Sequence, residues 1–202
     1  MVRTQPDDEE SKSARTRRRI LDAAAEVLAT RGYASTRLGE VAEKAEVQAP
    51  AIYYYFASRE DLVEEVLHSG TAGMREHLEA ALDTLPDDTA PLERLSVAVV
   101  AHLRHLLDPS SYAAATVRNA AHVPDAVRHR LMASHGAHDD IWARLLQTAQ
   151  AAGEIRGDLD LHHARLLVTG ALNQTLEWRD DRRGDLESLA ATASAFVLRG
   201  LT

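Results

Sequence analysis

Alanine fills 35 of the 202 positions of this chain, against 2 Phe, 2 Trp and 5 Tyr. Alanine loses no side-chain entropy in a helix, whereas sheets favour the β-branched and aromatic residues that are scarce here. An all-α fold is therefore expected. The spacing of apolar residues agrees. Ile20, Leu21, Ala24, Val27 and Leu28 share one helical face, with Arg18, Asp22, Ala25 and Glu26 opposite. Proline and glycine punctuate the rest. Helices are expected at about 13–30, 36–45, 49–55, 58–82, 91–107, 110–121, 124–152, 161–181 and 185–200. Thr36 is expected to cap the second, and Ser58-Arg59-Glu60-Asp61 to form a capping box for the fourth. Gly70 and Gly73 in the fourth helix mark either close packing or a flexible joint.

The chain has no Cys, which excludes disulfides, thiolate metal sites and cysteine nucleophiles. Its apolar stretches are too short to span a bilayer, and residues 1–30 contain no signal-peptide core. A soluble, cytoplasmic protein without a membrane partner is expected. The net charge of −8 is unevenly spread. Residues 1–10 carry −3, residues 11–60 carry +3, and residues 61–202 carry −8. A short basic segment attached to an acidic body suggests that only the first part meets a polyanion. Three regions are expected: a disordered tail at 1–12, a small head at 13–60 and a larger helical body at 61–202.

Two short helices joined by a three-residue turn, and braced by a longer one, make a helix-turn-helix. The second short helix presents Ala49, Pro50, Ala51, Tyr53 and Tyr54 outward. Small side chains let a helix approach a major groove closely. Tyrosine hydroxyls donate to phosphate, and their rings can touch thymine methyls. The stretch from Gly32-Tyr33 through Thr36-Arg37-Leu38, and then Val47-Gln48-Ala49-Pro50-Ala51-Ile52-Tyr53-Tyr54-Tyr55-Phe56-Ala57-Ser58-Arg59-Glu60, resembles the DNA-binding domain of the tetracycline-repressor (TetR) family. The resemblance covers about residues 13–65.

It implies that Thr36 and Arg37 touch phosphate. Gln48 and Ala49 would face base edges, with Tyr53 at the groove and Pro50 a further DNA-binding candidate on the outward face. Tyr54, Tyr55 and Arg59 would contact the DNA backbone. Ala49 stands where many members have Lys, and Tyr54 where many have His. That leaves Gln48 and DNA shape to carry more of the specificity. Lys12 and Arg15 form a candidate basic arm.

The same resemblance implies a homodimer and a small-molecule effector pocket in the body. Helix 161–181 is apolar almost all round, and Leu186, Leu189, Ala190, Ala193, Phe196 and Val197 form a stripe on the last helix. A second copy would complete a four-helix bundle and set two reading heads about one DNA turn apart, on a pseudo-palindromic operator. Candidate pocket residues are His102, Tyr112, His135, His138, Trp142, Asn173 and Trp178, mostly apolar surroundings with a few polar groups. Gly153–Asp160, Gly170–Asn173 and Glu177-Trp178 are similar to a TetR subgroup that senses acyl-coenzyme A thioesters.

The implied function is a ligand-responsive transcriptional regulator, most simply a repressor released by a largely apolar effector. An enzyme is not expected on this reading, nor is any catalytic residue, cofactor or metal. One alternative stays open, an all-helical enzyme or metal-binding protein using the ten His residues. His102/His105 and His135/His138 are spaced i, i+3, although His-Glu-x-x-His and Gly-x-Ser-x-Gly are absent.

Overall fold

Gly32, at φ 74°, closes the first helix where a side chain would be strained, and its N–H returns to the Leu28 carbonyl at 3.0 Å. Such punctuation sets most of the architecture in the computed structural model. It describes residues 12–110, 112–178 and 185–202, apart from the side chains of 132–135. The α-helices are α1 (Lys12–Arg31), α2 (Leu38–Lys44), α3 (Ala49–Tyr55), α4 (Arg59–Asp83), α5 (Pro91–Leu106), α6 (Ala113–Asn119), α7 (Asp125–Ala151), α8 (Leu161–Trp178) and α9 (Leu186–Leu201). There is no strand among the described residues. No helix among them is long and apolar enough to cross a membrane. The expected disordered tail lies outside the described residues except for Lys12, which begins α1. The expected extension of α8 over 179–181 also lies outside them.

Most caps form as the residue types dictate. Ser58 accepts a hydrogen bond from the Asp61 N–H at 3.0 Å, and Pro91 sits in the first turn of α5, where a missing N–H costs nothing. Thr36 is the exception. A 3₁₀ turn, Tyr33–Ser35, intervenes after Gly32, and Arg37 becomes the N-cap of α2. Thr36 instead turns inward, 4% exposed, and its hydroxyl donates to the Gly32 carbonyl at 2.8 Å. Ala25, expected on the outer face of α1, is buried because α1 is wrapped by α2, α4 and α6.

Two apolar cores run through the molecule. The first joins Ile20, Leu28, Val41, Ile52, Phe56, Leu62 and Leu67 from α1 to the first half of α4. It also takes in Ala115 of α6 and Val123, Val127 and Leu131 of α7 and its approach. The second surrounds α5, with Met74 and Leu78 of α4, Trp142 and Leu146 of α7, Val168 and Leu172 of α8, and Ala190 and Val197 of α9. Helix α4 thus spans both cores, at 25 residues about 37 Å long.

Gly70 lies between the two halves. A Cβ there would come within 2.1 Å of Thr116 Oγ1 and 2.6 Å of the Tyr112 carbonyl. Its small size permits α6 to lie against α4, and α4 runs unbroken through it. Close packing, rather than a joint, accounts for this glycine.

One chain covers only one side of α8. Ala164, Val168, Leu172 and Thr175 are buried, but Leu167 is 75% exposed and Trp178 57%. On α9 the expected single stripe divides. Ala190, Ser194 and Val197 pack inward, and Phe196 is 75% exposed on another side. The reason is geometric: α5 occupies only one flank of α9.

Candidate DNA interface and effector cavity

Helix α3 is amphipathic over only seven residues. Ile52 and, just after the helix, Phe56 are buried, which turns Pro50, Tyr53 and Tyr54 outward. Tyr54 is the most exposed, at 81%, and meets Tyr55 edge-on with ring centroids 5.0 Å apart. Tyr55 is half-buried against the head core. Gln48 and Ala49 are exposed at the helix start. The turn before them is held by Val47 N–H to the Ala42 carbonyl, at 2.9 Å, with Glu46 left-handed at φ 54°. Arg15, Arg18 and Arg19 of α1 and Arg37 before α2 are exposed, and Arg19 reaches the Glu46 carbonyl in the turn before α3 at 3.4 Å.

Two expected phosphate contacts are otherwise engaged in this structure. Thr36 is buried, which leaves Arg37 as the exposed group at the start of α2. The Arg59 guanidinium lies over the Tyr33 ring, 4.2 Å from its centroid, and donates to the Tyr33 carbonyl.

Of the expected pocket residues, three meet. His102 of α5, His138 of α7 and Asn173 of α8 line a cavity of about 120 Å³, with Gly70, Met74 and Thr116 among its other walls. His102 is fully buried and its Nε2 lies 2.9 Å from Asn173 Oδ1. Burial, then the neighbouring His138, push its pKa down to about 3, so the ring is neutral. Trp142 is also buried, but behind His102, edge-on at 5.8 Å. The side chain of His135 lies outside the described residues. Trp178 is not in the cavity; it projects from the outer side of α8.

Tyr112 is not in the cavity either. Its hydroxyl donates to Asp22 of α1 at 2.5 Å. Burial and the Asp22 carboxylate push its pKa up.

Sequence reasoning missed two residues of α6 that grip the head. Asn119, 1% exposed, accepts from the Tyr33 N–H at 2.6 Å and donates to the carbonyls of Leu28, at 3.0 Å, and Ala115, at 2.8 Å. Arg118 donates to Ala29 O of α1 at 2.7 Å, Leu176 O of α8 at 2.8 Å and Glu177 Oε1 at 2.9 Å. Both helix ends present carbonyls without intrahelical partners, which favour a cation. One signal was available. Asn119 follows Ala115 by one helical turn on a face that is otherwise apolar.

Of the two histidine pairs considered for a metal, His135/His138 includes a side chain outside the described residues. Among the described residues, no group of three His, Asp or Glu is placed to hold an ion. His105 turns away from His102 to stack on His77, with centroids 5.0 Å apart.

Comparison with known proteins decides the class. A profile described as "Bacterial regulatory proteins, tetR family" matches residues 20–66. A second, "Tetracyclin repressor-like, C-terminal domain", matches residues 88–201. The chain belongs to the TetR family. TetR members are DNA-binding transcriptional regulators, and the enzyme alternative finds no support.

The chain is 24% identical over 184 residues to the fatty acid metabolism regulator protein of Bacillus subtilis, covering 90% of this chain and 93% of that protein. It is 25% identical over 197 residues to the transcriptional repressor KstR2 of Mycolicibacterium smegmatis, covering 96% and 95%. The crystal structure of AibR in complex with isovaleryl coenzyme A and operator DNA superposes with a TM-score of 0.80 at 20% identity, covering 90% of this chain and 97% of that one.

Proposed function

We propose that this TetR protein is a homodimeric repressor that leaves its operator when an acyl-coenzyme A thioester enters the body cavity. The observation that carries the reading is the double role of α6. Through Thr116 and Val117 it walls the cavity, and through Tyr112 just before it, Arg118 and Asn119 it holds α1. A cavity of about 120 Å³ is well below the roughly 300 Å³ at the lower end for ligand pockets. An acyl chain therefore needs a wall to move. Gly70 leaves no slack between α4 and α6, so α6 retreats and draws on the head.

The effector thus selects a conformation in which the clasp on α1 is altered and the heads leave their spacing. The relatives support the effector class: one regulates fatty acid metabolism, and AibR was solved with isovaleryl coenzyme A and operator DNA.

In this reading Arg37, Gln48, Ala49, Pro50, Tyr53 and Tyr54 face DNA, with Thr36, Tyr55 and Arg59 supporting the backbone contact. Arg59 swings from Tyr33, or offers phosphate its remaining N–H groups. Leu166, Leu167 and Trp178 of α8 and Phe196 of α9, all exposed here, are covered by a second copy.

The test is an operator titration. DNA selected from genomic fragments is bound with and without octanoyl-coenzyme A. A pseudo-palindromic site released by the thioester supports the reading. DNA binding unaffected by acyl thioesters of any chain length refutes the effector class.

A further inference from the structure

The polar lining of the cavity has an uneven hydrogen-bond inventory. The Thr71 and Thr116 hydroxyls both donate to the Leu67 carbonyl at 3.1 Å, and Thr169 donates to the Arg165 carbonyl at 2.9 Å. Their hydroxyl hydrogens are taken. Asp139 is paired with Arg165 at 2.8 Å. Among the described lining residues there is no Lys or Arg.

His102 is neutral, so one ring nitrogen carries the proton. Nδ1 is buried with no partner, while Nε2 faces Asn173 Oδ1 at 2.9 Å. An orphaned buried N–H is rarer than an orphaned lone pair. The proton therefore sits on Nε2 and donates to Asn173. That fixes the amide with its oxygen towards His102 and its NH₂ towards the cavity. The Asn173 amide keeps donor hydrogens that nothing else in the described structure uses.

We infer that the Asn173 NH₂, oriented by His102, reads an uncharged carbonyl of the effector, so that the cavity accepts a thioester carbonyl and rejects the corresponding free carboxylate. A carboxylate would enter a site whose described lining offers no Lys or Arg, with the imidazoles of His102, neutral, and His138 beside it and Asp139 at its edge, and would lose hydration without a fixed compensating charge. A thioester carbonyl needs one donor, and one is held ready. Asn173 is the contact residue and His102 the positioning residue. The inference rests on the acyl-thioester reading above and sharpens it to one atom.

Three probes separate the possibilities: octanoyl-coenzyme A, its thioether S-octyl-coenzyme A, which lacks only the carbonyl, and octanoate. Binding to the full-length protein is measured by calorimetry. The thioester is expected to bind about tenfold tighter than the thioether, and octanoate not measurably. In Asn173→Leu that preference disappears, the two coenzyme A compounds binding alike. His102→Phe reduces it, and His102→Gln, whose amide can still donate to Asn173 Oδ1, restores it. Equal binding of thioester and thioether by the unaltered protein overturns this inference alone, whatever the variants do. So does a preference that survives Asn173→Leu. Failure of both coenzyme A compounds to bind removes the acyl-thioester reading, and this inference with it.

Discussion

Arg118→Leu is the substitution that most directly interrogates the route from cavity to DNA. Arg118 joins α6 to the end of α1 through Ala29 O and to the end of α8 through Leu176 O and Glu177. The Glu177 pair is solvent-exposed and contributes little. Each carbonyl bond is charge-assisted but part-exposed, so about 1 kcal/mol apiece is reasonable. Leucine keeps most of the aliphatic packing. The expected loss is thus about 1–2 kcal/mol of folding stability, or about 2–8 °C in Tm for a chain of this size.

The functional effect is more specific. If the clasp holds the DNA-competent arrangement, losing the Ala29 link lowers effector-free operator affinity about fivefold per subunit. It leaves the effector-bound state unchanged, where the clasp is already altered. The ratio of operator affinities without and with octanoyl-coenzyme A therefore shrinks, by at least fivefold. Fluorescence anisotropy with labelled operator measures both states, and urea unfolding verifies the fold. A folded Arg118→Leu variant with an affinity ratio within twofold of the unaltered protein refutes the clasp as the transmitting link.

Tyr54→Ala should weaken operator binding at least tenfold without changing the dimer, as read by mobility shift and sedimentation. Arg37→Ala should also reduce the magnitude of the log–log salt slope, by about one unit per subunit that loses a phosphate contact. Because His102 is held near 3 in the folded protein, the unfolded chain binds the extra proton between there and about 6.5. His102's contribution to stability is thus complete above about pH 6.5 and is lost as pH falls, at up to about 1.4 kcal/mol per pH unit. Urea midpoints of His102→Gln across pH 4–7 should show a shallower decline, and an equally steep one would contradict the burial. Leu167→Glu, on the exposed side of α8, should dissociate the dimer in sedimentation. With Trp142→Phe in place, it should also shift Trp178 emission to the red.

Much of the architecture is local in origin, and so it can be read from the chain. Pro91 and the Ser58 N-cap act within one turn, and α4 and α5 begin where these residues stand. The outward face of α3 follows from Ile52 and Phe56 alone. What escapes such reading depends on partners far along the chain. Asn119 meets Leu28 across 91 residues, and nothing in Ala113–Asn119 marks that encounter beyond a polar residue on an apolar face. Thr36 resembles a cap by type, but the 3₁₀ turn at Tyr33 shifts the helix start by one residue and takes its hydroxyl inward. Trp178 is apolar enough for a pocket. Its side of α8 is chosen by three-dimensional packing, because α8 has apolar residues on both flanks. The cavity is the sharpest case. His102 and Asn173 lie 71 residues apart on different helices, and only their hydrogen bond reveals which end of the amide faces the void.

The first core has a consequence for exchanging parts between regulators. Ala115, Val123, Val127 and Leu131 close the underside of the helix-turn-helix head, yet they come from α6, α7 and the segment between them, in the helical body. A chimera cut between Phe56 and Leu62 would set a foreign head on a seat shaped for another. Its small, β-branched and leucine seat, with the retained α4, would have to match the new α1 or leave voids beneath it. Heads of this kind are not interchangeable cartridges. New operator specificity is reached more safely by changing the exposed residues of α3 in place, where the seat is untouched.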